Sequence, residues 1–114
     1  MNREEYLTSA TKHLRETVFS KAALEIPNDV KLTCGWPSSG GTSAKRKTVG
    51  QCWPRSASKE EVNQIFISPM IADTIEVLGV LAHELVHAID DCENGHKAPF
   101  RRMALAIGLT GKMT

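Results

Sequence analysis

The chain has little of what braces a small protein from outside its core. Its three cysteines, Cys34, Cys52 and Cys92, are odd in number and widely spaced. That argues against a disulfide framework and suits a reducing compartment. No two of them form a C-x-x-C pair, which excludes a self-contained zinc ribbon. Long apolar runs are missing too. Asp, Glu, His or Pro interrupts each within a few residues, so no segment suits a membrane span and no membrane partner is expected. The opening MNREEYLTSATKHLRET carries charge where a secretory signal needs an apolar stretch. With 114 residues there is material for one core and not for two. The expectation is a single cytoplasmic domain over residues 1–114. The ending GLTGKMT has no stop structure, which leaves open that this is the N-terminal part of a longer protein.

Acidic residues are absent from Lys31 to Lys59, where six basic ones stand, and basic residues are absent from Glu60 to Glu93, where eight acidic ones stand. From Lys97 to Lys112 the charge is again purely basic. A net charge of +1 therefore conceals separate fields of opposite sign, able to steer an anionic partner.

Residues 3–25 read as a helix: Tyr6, Leu7, Ala10, Leu14, Val18 and Phe19 recur at helical spacing before Pro27. VKLTCGW (30–36) and TVGQCW (48–53) read as two strands paired across the basic, glycine-rich loop between them. VNQIFIS (62–68) is the strongest strand pattern, closed by Pro69. Asp73 with Glu76 has capping-box spacing, and Ile75, Leu78, Leu81, Ala82, Leu85 and Ile89 form an apolar stripe, so a helix should run to about Asp91. A last helix, about Pro99 to Ile107, should stop at Gly108. The expected class is α+β: an N-terminal helix, a small three-stranded sheet packed on the central helix, and a short C-terminal helix.

The central helix carries the chemistry. Residues four apart in a helix lie nearly above one another, so His83 and His87 share a face and can hold one ion between them. Glu84 sits beside that face, near an ion without having to bind it. Zinc accepts imidazole nitrogen, and with three protein ligands it leaves a position for water of pKa about 7. Glu84 would take the proton of that water and pass it to a leaving amine. The third ligand comes from Asp91, Glu93 or His96. Glu93 has the spacing of a peptidase class that needs glycine three residues after the second histidine, and Asp90 stands there instead. His96 ranks first, because Gly95 can turn the chain back and a third imidazole leaves Glu84 free as base. Asp91 then becomes an acceptor for a histidine N–H. A histidine pair on a polar helix face is common, but these two flank a glutamate on an otherwise apolar helix, where buried polar groups need a partner.

HELVH followed by GHKAPFRRMA resembles the SprT-like (Spartan-type) zinc metallopeptidases, whose motif is HExxH and then Gly-His-x-x-x-Phe opening the next helix. With the CGWP and IFISP segments, the order is similar to that of the short members encoded by phages and prophages, over about residues 30–113. The resemblance implies a minimal zincin-like peptidase with one zinc on His83, His87 and His96 and Glu84 as catalytic base. It implies the host cytoplasm as the setting for a phage-encoded chain. Larger relatives act on proteins bound or crosslinked to DNA. This chain departs from the eukaryotic members in its shorter gap from His87 to His96 and in having no cysteine-rich ribbon after it.

A peptidase commonly holds its substrate as an added strand, and VNQIFIS is the expected edge, with Asn63, Ile65 and Ile67 against a protein or peptide substrate. Lys45, Arg46 and Lys47, between Trp36 and Trp53, have the charge and flanking aromatics of a single-stranded DNA site. Cys34 and Cys52 read as small buried hydrophobes, and Cys92 as a thiol beside the site. A non-catalytic zinc-containing adaptor, or a DNA-associated regulatory module, is the competing class.

Overall fold

In a computed structural model, which describes residues 3–35, 50–68, 74–93, 95 and 97–109, three helices surround a three-stranded sheet. Helix α1 (Arg3–Leu14) runs on into a π-helical turn (Arg15–Phe19). Its apolar spacing buries Leu7, Ala10 and Phe19 in the core. The helix closes near residue 21, short of the expected 25, because Ala23 turns left-handed at φ 59°. The Leu24 and Ala23 N–H groups then bond back to the Phe19 and Ser20 carbonyls at 2.9 and 3.0 Å.

Strands β1 (Lys31–Cys34), β2 (Gly50–Trp53) and β3 (Gln64–Ile67) form one sheet in the order β1-β3-β2. The expected hairpin of β1 with β2 is therefore incorrect. Strand β3 lies between them, parallel to β1 with Leu32 opposite Ile65, and antiparallel to β2 with Cys52 opposite Ile65. The reason is apolar content. Ile65 and Ile67 are fully buried and Phe66 nearly so, whereas every residue of β2 is half-buried and β1 is half-buried or exposed. The strand with most to hide takes the place covered on both sides. It follows that β3 is not an edge, and Asn63, Ile65 and Ile67, all fully buried, are not a surface on which a substrate strand can lie.

Helix α2 (Thr74–Ile89) packs on β2 and β3 through Val77, Leu81, Leu85 and Val86, which join the N-terminal helix in a single core. The expected cap, Asp73, lies outside the described residues. Helix α3 (Ala98–Ala106) packs on α2 and buries Phe100 and Ala104. It has Pro99 in its first turn and ends as expected at Gly108, which is left-handed at φ 93°. The Leu109 N–H closes that end on the Ala104 carbonyl at 2.9 Å. Among the described residues, no helix is long and apolar enough to cross a membrane.

Candidate metal centre

The apolar stripe that seats α2 on the sheet also decides where its polar side chains go. His83 and His87 are half-buried, one turn apart, with ring centroids 5.0 Å apart and planes at 70°. Phe100, brought in by α3, touches both rings. Its centroid is 5.0 Å from His83 edge-on, and 4.3 Å from His87 in a stacked arrangement at 26°. Aromatic contacts of this kind contribute roughly 0.5–1.5 kcal/mol each beyond area burial, and they limit ring rotation.

Glu84 is only 6% exposed and faces the sheet. Among the described residues no hydrogen bond is donated to its carboxylate, and burial pushes its pKa up to about 7. Gly50 of β2 is the near wall. A Cβ there would lie 2.7 Å from Val80 Cγ1, 3.1 Å from Glu84 Oε2 and 3.2 Å from Glu84 Cγ. Val80 is branched at Cβ and cannot swing aside on a helix, so glycine is what lets β2 approach the carboxyl. Gly50→Ala is expected to destabilise the fold by roughly 1–3 kcal/mol through overpacking, read from the midpoint of urea unfolding.

His96, the expected third donor, lies outside the described residues. Gly95 before it is left-handed at φ 52°, as a chain reversal requires. Among the described residues no group of three His, Cys, Asp or Glu side chains could hold an ion. They contribute two imidazoles one turn apart, a donor type that suits a borderline ion such as zinc, and a buried carboxyl nearby that does not complete the set. Glu93 is exposed on the turn after α2.

Asp91 does something other than expected. Helix α2 stops before it, and Asp91 adopts φ 55°. Its Oδ1 accepts the Arg55 backbone N–H at 2.8 Å and the Asn63 Nδ2–H at 2.8 Å. Those bonds hold its carboxyl below the usual range, the Arg55 contact first and Asn63 second. Asp91 therefore ties the end of α2 to the start of β3 and to the 3₁₀ turn after β2 (Arg55–Ala57), and among the described residues its carboxylate takes up Arg55 and Asn63 and no histidine N–H. Asn63 completes the tie by donating to the Trp53 carbonyl at 3.2 Å.

The three cysteines are free and half-buried. Cys34 and Cys52 both pack against the core, as small hydrophobes do. Cys52 is also in sulfur contact with Cys92, 3.3 Å away. The Cys92 thiol, then burial, push the Cys52 thiol well above its ordinary value, and the charges of Glu84 and Asp91 add to this. Residue spacing alone had no means of bringing positions 52 and 92 together. Trp36, Lys45, Arg46 and Lys47 lie outside the described residues. Tyr6 packs against the core. No family model, no curated protein and no solved structure matches the chain.

Proposed function

We propose that this chain is a zinc-dependent endopeptidase of the SprT-like kind, with His83, His87 and His96 holding one zinc and Glu84 as the base. The observation that supports this most is the combination on α2 of two imidazoles one turn apart with a buried carboxyl that no described residue hydrogen-bonds. A structural histidine pair has no need of such a carboxyl, whose burial is costly unless something engages it. When bound, zinc supplies a Lewis acid that brings water toward pKa about 7.

The chain's own residues account for the rest. Glu84, with a pKa near 7, can accept a proton at neutral pH and release it again to a leaving amine. Phe100 holds the two imidazoles against rotation. Strand β2, whose outer side pairs with no described residue, borders Glu84 at Gly50 and is the edge on which a substrate strand can lie. An extended peptide added along Gly50–Trp53 would pass beside the base. Proteins associated with DNA remain the substrate class that the resemblance suggests.

The test is elemental analysis with X-ray absorption spectroscopy, paired with cleavage of an unfolded protein substrate. One zinc per chain with three nitrogen donors is expected, lost in His83→Ala, His87→Ala and His96→Ala. Cleavage should stop on chelation and return with zinc. A folded chain that takes up no zinc, or that keeps it in the His87→Ala variant, would end this reading.

A further inference from the structure

We propose that Cys52 and Cys92 are a reversible redox pair, which hydrogen peroxide joins in an intramolecular disulfide that clamps strand β2 to the end of helix α2. Cys52 Sγ and Cys92 Sγ are 3.3 Å apart, and the Cys92 thiol also donates to the Cys52 carbonyl at 3.5 Å. A disulfide needs sulfurs about 2.05 Å apart, so closure takes a movement on the order of 1 Å. Both residues are half-buried, so a small oxidant reaches them without unfolding the chain.

The backbone presents the pair in a way that chance contact does not explain. Asp91 and Cys92 are consecutive left-handed residues at φ 55° and 62°, and neither is glycine. Such conformations persist only where the surroundings over-determine them. Here the Cys92 N–H is bonded to the His87 carbonyl at 2.8 Å, and the Asp91 carboxylate is held by Arg55 and Asn63. The same two residues fix the end of β2, since Asn63 also binds the Trp53 carbonyl and Arg55 begins the turn that follows. One hydrogen-bonded scaffold therefore sets both sulfurs, and oxidation adds a covalent bond where the packing has already met.

The chemistry balances with peroxide as the oxidant. One thiol sulfur attacks a peroxide oxygen; its S–O bond forms as the O–O bond breaks, and water leaves with the thiol proton. The second sulfur then attacks the resulting sulfenic sulfur; the S–S bond forms, the S–O bond breaks, and a second water leaves. Two thiols are oxidised, one peroxide is reduced, and a dithiol reductant reverses the sum. The proposal needs only the sulfur pair and does not depend on the peptidase reading.

The experiment treats the full chain with hydrogen peroxide, alkylates the remaining thiols under denaturing conditions, and reads intact mass and a peptide map. Alkylation should fall from three groups to one, on Cys34, with one pair of peptides joined through Cys52 and Cys92; dithiothreitol should restore all three. Cys52→Ser and Cys92→Ser should each abolish the joined peptides, and Cys34→Ser should leave them. Three alkylated cysteines after treatment, separate sulfinic or sulfonic acids, or crosslinks through Cys34 or between chains would overturn the proposal. Should either serine variant fail to fold, the peptide map of the unsubstituted chain decides alone.

Discussion

Glu84→Gln should lower peptide cleavage by roughly 10²–10⁴-fold, the usual contribution of a positioned general base, while zinc stays bound at one per chain. The amide keeps the size and place of the carboxyl against Gly50 and Val80, so packing changes little. It removes the buried carboxyl beside the histidines, whose pKa near 7 lets it take a proton at neutral pH. Since the loss falls on proton transfer and not on substrate contact, it should appear in kcat with KM nearly unchanged. Loss of zinc together with cleavage would make Glu84 a ligand in place of a base. Full activity in the variant would remove it from the reaction. If cleavage vanishes and the biological effect of the protein persists, the adaptor reading gains, because binding alone would then suffice.

What could be read from the residues, and what could not, follows from the range of the interactions. Helices α2 and α3 are governed by contacts three and four residues apart, so the helical stretch of α2 and the stop at Gly108 were legible. Yet Ile75, expected in the apolar stripe, is 79% exposed, and Val77 and Val86, outside that stripe, are buried. The sheet order is a long-range outcome. Two adjacent strands flanking a glycine-rich loop suggest a hairpin, yet β3 came between them. The usable signal was the unbroken Ile65-Phe66-Ile67 run, which marks a strand covered on both faces more than an edge. Asp91 failed for a different reason. Nothing in Asp-Asp-Cys announces a left-handed helix end, a place where glycine is the usual residue, so the helix looked set to continue and to point Asp91 at the histidines. For the site, His83, Glu84 and His87 needed only helical geometry. Gly50, Phe100 and the Cys52–Cys92 contact come from other elements, and no spacing rule relates them to α2.

Without metal, the chain should lose about 3 kcal/mol of stability as pH rises from 4.5 to 7 or slightly above, and the Glu84→Gln variant should lose none of that portion. The folded protein holds Glu84 up to about 7 by burial, whereas its ordinary value is 4.5. Between those values the folded state binds the proton and the unfolded state has released it, so rising pH favours unfolding. The contribution is fully present below pH 4.5 and is spent once pH passes the folded value; the interval corresponds to the figure given. Other ionisable side chains lie on the same elements: His83 and His87 on the helix of Glu84, and Cys52 on β2, whose thiol feels the Glu84 charge. They are common to both proteins, so the difference between the two urea-unfolding curves, taken pH by pH, isolates Glu84. A parallel pair of curves across this window would mean that the carboxyl is solvated and titrates at its ordinary value. The match between base and neutral pH would then be lost, and with it the main reason for assigning the proton transfer to Glu84.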